Sequence, residues 1–446
     1  MIIATPIYYL LVFSLAYILP QWLTFIFFFV VLVIMPGYII TSAVFPGIRF
    51  YIKFLFSMVF GTAILFLLIF LAALFGVDLI HVAYLNPVFS IVLLLFLRRS
   101  LETESSVRPE SIPDYPLSRP VMIILALILV LVTAIIITVG DPLLYTGDSP
   151  DQIAYIKTVS RSGEAFPSQY LHKEGGELTR DIRKGLVHSM WGLITLLTGR
   201  SDVVKIWPLI SAIGSIFLLL AIFCVGVIYF RSGVIGLLSI ILFILYYHGG
   251  LESRQLITVA YGFPFGKIYF YAFMAVLPLA LRRIRKDILF LVAAVAFAAT
   301  GTHITHIMLI AFVSFIFAIV EYLQSDPESR GRLLNRTAPI LAGVVTAATL
   351  PYLLMRYIRD YNPANIIHTH KQGVFIIADG FEIVNPIVFL QSGGVLVVIA
   401  LFSIFILWKK SREEKNLRLL LYTTAAVYII SFIPLWVSFL IDRISY

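Results

Sequence analysis

The chain has 446 residues, of which 60% are apolar and 13% charged, with a mean hydropathy of +0.99. A soluble core needs more polar surface than this to cover it, so the solvent of this protein is lipid. The net charge of +9 and pI near 9.4 would suit a nucleic-acid binder in a soluble protein. Here the basic residues stand between apolar runs, where they report topology, and no nucleic acid is expected.

In chain order, the amino terminus MIIATPIYYLLVF lacks a basic n-region and a small-residue cleavage site, so the first apolar run is expected to stay. Runs long enough to cross lipid, or nearly so, follow at 5–19, 22–44, 52–76, 82–97, 120–139, 206–230, 233–247, 265–281, 288–302, 304–321, 337–354, 385–408 and 419–440. These thirteen predict an all-α polytopic membrane protein. Only Pro20 and Gln21 separate the first two runs, so that pair could be a hairpin that does not fully cross. Cys224 is the sole cysteine and lies inside an apolar run, which argues for a small core residue rather than a disulfide or thiolate metal site.

Loop charge sets the expected orientation. Arg49 and Lys53, Arg98, Arg99, Arg108 and Arg119, Arg231, Arg282 to Lys286, Arg330 to Arg336, and Lys409 to Arg418 alternate with loops at 77–81 and 300–303 that carry no Lys or Arg. The basic set is therefore expected in the cytoplasm and the active face outside, in a multi-pass plasma-membrane protein. The alternation holds only if the apolar stretch 185–199, GLVHSMWGLITLLTG, does not span, and an interfacial or re-entrant helix is expected there. The chain then divides into a four-helix module (1–98), a polar linker (99–119), a core of seven spans (120–354) with an outer loop at 140–205, a second outer loop (355–384) and a terminal hairpin (385–446). No internal repeat of the kind found in many transporters is evident.

The most informative segment runs from Tyr145 to Tyr155, YTGDSPDQIAY. Ser149 followed by Gln152 makes a capping box, and Pro150 suits the first helical position, so a helix is expected from Ser149 through about Ser160. Ile153, Ile156 and Val159 share one face of it, which could rest on the membrane surface. Asp151 falls in the first turn, where the helix dipole favours an acid for structural reasons alone. Asp148 precedes the cap and has no evident structural task.

These residues carry a resemblance. The acidic start of the loop at Asp148, the downstream Tyr155, the helix-ending Gly163 and the His-containing HSMWGLITLLTG are similar to the GT-C superfamily of polyprenyl-phosphate-sugar-dependent glycosyltransferases. That superfamily includes protein O-mannosyltransferases, aminoarabinose transferases and oligosaccharyltransferase catalytic subunits. The likeness covers roughly 120–384 and implies a GT-C-like core of seven helices with juxtamembrane helices in the first outer loop. It also implies inverting transfer of a sugar from a polyprenyl-phosphate donor to a glycan, lipid or protein acceptor on the outer face. Asp148 would be the general base and Asp151 secondary; partial desolvation would raise the pKa of such a carboxylate toward the working pH. The MPGY segment from Met35 to Tyr38 is left without a role.

The leaving lipid phosphate needs donors. Candidates are Lys173, Arg180, Arg183, Lys184, Arg254, Lys267, Arg356 and Arg359, whose ammonium and guanidinium groups suit phosphate oxygens. His303 and His306, in THITH, stand three apart and could hydrogen-bond near that phosphate. Without a clear third ligand no metal is expected, nor any other cofactor, although relatives with diphosphate donors use a divalent ion. Two other classes remain open. A transporter or flippase is disfavoured because the span interiors hold almost no ionisable residues, and a non-catalytic scaffold would leave the polar residues of 140–205 scattered.

Overall fold

The computed structural model describes residues 19–45, 48–104, 116–139, 149–167, 185–199, 202–247, 260–282, 286–303 and 305–325, with shorter pieces between 330 and 425. No strand occurs among them. The helices are α1 (Gln21–Val44), α2 (Phe50–Phe75), α3 (Leu79–Glu104), α4 (Arg119–Val139), α5 (Ser149–Ser162), α6 (Gly185–Leu197), α7 (Val203–Phe230), α8 (Gly233–Tyr247), α9 (Gly262–Arg282), α10 (Lys286–Thr302) and α11 (Thr305–Gln324). Four segments are long and apolar enough to cross a membrane, namely α1, α2, Arg119–Thr138 of α4, and α7. Shorter apolar helices surround them, so the chain is an all-α protein of membrane type. The expected runs at 5–19, 385–408 and 419–440 lie outside the described residues, apart from isolated positions.

Local chemistry explains the shape of α1. Pro36 has no N–H to give the carbonyl four residues back, which belongs to Leu32. A π-helical turn at Val30–Ile34 precedes it, with the Met35 N–H reaching back to Val30. The Leu32 carbonyl instead accepts from Asn86 Nδ2 on α3 at 2.8 Å, and Asn86 is fully buried. The MPGY segment thus joins the helices of the amino-terminal region. Gly37 lets α1 meet the Ser57 carbonyl of α2, and Gly61 of α2 meets Val33, contacts that a Cβ at either glycine would prevent.

One apolar core runs through the described helices. Phe25 and Phe29 of α1 stack on Trp191 of α6, Phe54 of α2 meets Phe217 of α7 at 5.0 Å, and Phe60 of α2 stacks on Phe290 of α10. Tyr229 of α7 donates to the Met274 carbonyl of α9 at 2.8 Å, pairing two helices through a buried hydroxyl. Cys224 is buried in α7, as its apolar surroundings imply.

Two expectations need correction. Helix α6 has 13 residues, about 20 Å at 1.5 Å per residue, too short to cross about 30 Å of hydrocarbon. That agrees with the expectation that it does not span; of the two placements expected for it, the interfacial one is corrected, because its residues from Leu186 to Thr195 are all buried and it packs against α1, α2, α3, α5, α9 and α10. Likewise the Ile153, Ile156 and Val159 face of α5 does not rest on a membrane surface. It is buried against α6, where Gly192 leaves room for the Val159 side chain.

The loops sort by charge. The base-free turn after α2 meets the end of α5 through a Leu79 N–H to Gly163 carbonyl bond of 2.8 Å, and Gly262 at the start of α9 lies against the Thr302 carbonyl at the end of α10. At the opposite end of α4 and α7, Leu117 and Val121 touch Gly233 beside Arg119 and Arg231.

Candidate functional site

Helix α5 is described from Ser149 to Ser162, and it ends at Gly163 in the left-handed region (φ 72°) with its N–H on the Val159 carbonyl at 2.9 Å. Such a glycine closes a helix without the strain a Cβ would bring. Asp151 stands in the first turn, half-buried. One turn further, Tyr155 is fully buried with its ring edge-on to His188 of α6, centroids 5.9 Å apart. His188 is itself 1% exposed, and the neighbouring Ser189 donates to the Ala165 carbonyl just past α5. The side chain that names the HSMW stretch therefore points into the bundle.

From His188 the polar path continues to α9. A Cβ on Gly262 would lie 3.5 Å from His188 Cε1 and 2.5 Å from the Thr302 carbonyl, so this close approach requires glycine. One turn on, a Cβ at Gly266 would collide with the His306 ring and with Thr302 Oγ1. The GFPFG sequence thus presents two glycines on one face, and the Thr302–His306 turn sits on them, as small residues permit wherever membrane helices come close. His306 is fully buried, and its Nδ1 lies 3.2 Å from the His303 carbonyl. A carbonyl only accepts, so Nδ1 is the donor in this contact. Lys267 follows Gly266 in α9 and is half-buried.

Of the residues singled out from the sequence, His306 packs on Gly266, the residue before Lys267, His303 supplies the carbonyl next to the His306 ring, and Asp151 stands one turn from Tyr155 on the adjoining helix. Asp148, Lys173, Arg180, Arg183, Lys184, Arg254, Arg356 and Arg359 lie outside the described residues. Sequence reasoning did not single out Thr302 or the glycine pair; the four-residue spacing of Gly262 and Gly266 was the available signal. Among the described residues no three His, Cys, Asp or Glu side chains converge as metal ligands would.

Nearby, Asp202 ahead of α7 accepts from Lys205 Nζ at 2.8 Å, and this bond, with Lys157 of α5 adding its charge, holds the Asp202 carboxyl below its ordinary value. Farther into the bundle, an apolar cavity of about 360 Å³ opens between α2, α3, α10 and the helical residues within Ala342–Met355, lined by side chains such as Phe60, Phe89, Phe290, Phe297 and Leu350. It offers hydrocarbon contacts and no exposed polar surface.

Comparison with models of known protein families, with characterised proteins and with solved structures finds no match for this chain.

Proposed function

We propose that the chain is an inverting membrane glycosyltransferase that moves a sugar from a polyprenyl-phosphate donor to an acceptor at the outer face. One observation carries the reading. The helix that starts directly after Asp148 is docked on the His-bearing α6, at the end of the bundle where α9 cradles the Thr302–His306 turn. Tyr155, His188, Thr302 and His306 are thereby gathered among buried residues of α5, α6, α10 and α11, with Lys267 next to Gly266 in sequence. Buried polar groups are costly, and a converging set of them in a protein of this composition fits a site for chemistry better than a scaffold.

In this reading the acceptor O–H or N–H gives its proton to the Asp148 carboxylate as its heteroatom attacks the anomeric carbon. The bond from that carbon to the phosphate oxygen breaks on the opposite side, and the lipid phosphate leaves with the electron pair. Lys267 offers an ammonium for the charge that develops there, and the basic residues of both outer loops would add to it. The apolar cavity would take part of the polyprenyl chain: its α10 stripe of Phe290, Ala294 and Phe297 leads to Gly301, next to Thr302.

Membranes containing the protein, incubated with labelled polyprenyl-phosphate sugars, are expected to release sugar from the lipid. Asp148→Asn should abolish release while the protein remains folded, and Asp151→Asn should reduce it less. Full activity in Asp148→Asn would remove the assigned base, and no release with any donor would remove the reading.

A further inference from the structure

We infer that the amino-terminal helices act as a clamp that positions the outer-segment helices α5 and α6, with Leu79 and Gly163 as its positioning residues. Two contacts form the clamp. At the far end of α5, the Leu79 N–H donates to the Gly163 carbonyl at 2.8 Å, and a Cβ built on Gly163 would lie 3.9 Å from Cβ of Asp78. On α6, the Trp191 ring is stacked by Phe25 at 5.8 Å and by Phe29 at 5.7 Å, while Phe265 of α9 closes it edge-on at 5.5 Å.

The two clamped helices form one unit. Gly192 of α6 takes the Val159 side chain of α5, with the Ile156 carbonyl 3.3 Å from where its Cβ would be. Helix α5 is a rigid lever of 14 residues, so fixing its carboxyl end at Gly163 also fixes its acidic first turn about 20 Å away. The Phe25 and Phe29 rings are in turn held by the π-helical turn that follows them, whose Leu32 carbonyl is tied to Asn86. The amino-terminal helices thus set where the segment leading out of Asp148 stands relative to His188 and His306.

The clamp is a statement about packing, and only its kinetic consequence rests on the proposed transfer reaction. Leu79 is the first residue of α3, where proline is tolerated, so Leu79→Pro deletes the N–H while leaving the helix start intact. Leu79→Met keeps the N–H and serves as control. In the full-length protein, amide exchange of residues 149–163 is expected to rise about tenfold in Leu79→Pro relative to Leu79→Met, with α7 unchanged, as for a local opening. Unchanged exchange in 149–163 would overturn the clamp whether or not any sugar is transferred.

If transfer is observed, kcat should fall about tenfold to a hundredfold in Leu79→Pro with little change in the donor KM, because misplacement near the chemistry costs rate more than binding. Raised exchange with an unchanged kcat would overturn the positioning role. Should Leu79→Pro fail to fold, the unaltered chain decides: the Leu79 N–H, first in its helix and so without an intrahelical acceptor, should be protected from exchange by the Gly163 carbonyl, and exchange as fast as that of a free amide overturns the clamp.

Discussion

Helices α4 and α6 are both strongly apolar, yet they have opposite surroundings. Along α4, Leu127, Val130 and Leu131 are 63%, 67% and 61% exposed, and the helix packs on α7 and α8 only along a narrow stripe. In α6, Trp191 and its neighbours are fully buried. The difference lies in length and in small polar residues. Helix α4 is 21 residues long, enough to satisfy its backbone across a bilayer while its side chains meet lipid. Helix α6 is shorter and carries His188 and Ser189, buried polar groups that face other parts of the protein: His188 meets the Tyr155 ring of α5, and Ser189 donates to the Ala165 carbonyl beyond α5. Apolar composition by itself does not say whether the neighbour is lipid or protein.

Substitutions can break this contrast. The largest stability effect is expected for Trp191→Ala, because the cavity left between Phe25, Phe29 and Phe265 cannot close easily; about 3–5 kcal/mol should be lost, read as thermal unfolding in detergent. A small effect there would mean that α6 is not the centre of the core. Gly266→Val should come next, at about 1–3 kcal/mol, since its side chain must displace the His306 ring and Thr302. It should also lower sugar release in the membrane assay more than its stability loss explains. Leu127→Ala on α4 should stay within about 0.5 kcal/mol, as for an exposed surface position. A loss as large as that of Trp191→Ala would place a protein partner on that face instead of lipid.

The smallest effect is a pH-dependent one. The folded-state pKa of Asp202 is depressed by Lys205, so the pair contributes stability above the unfolded value and loses it as pH falls through the folded one. The residues are largely exposed, so a few tenths of a kcal/mol at most is expected. Asp202→Asn should therefore lower the melting temperature slightly at pH 7, and the gap should vanish well below pH 3.9, the ordinary value for an aspartate. A gap that widens on acidification would reverse the assigned sign.

Much of the helical layout was legible because hydrophobic runs and helix-stop signals are local. Gly233–Tyr247 matches the run expected at 233–247, and Gly163 in the left-handed region ends α5 as helix-stop chemistry requires. The burial of α6 was not legible, since its partners come from helices as distant in sequence as α1 and α10. The same holds for the site. THITH and Lys267 stood out as residues, but the packing of His306 on α9 depends on Gly262 and Gly266 letting two helices approach, and a glycine shows its purpose only when its neighbour is known.

What the sequence determined by itself is the membrane character, the helical class and the alternation of basic and base-free loops. These follow from composition and from spacing along a single helix. Tertiary structure alone decided that α5 faces protein rather than a membrane surface, that α6 is a core element, and that Asn86 answers the carbonyl Pro36 leaves open. Each is a contact between residues far apart in the chain, fixed by steric fit and hydrogen-bond satisfaction across helices, and neither has a period that a sequence can display.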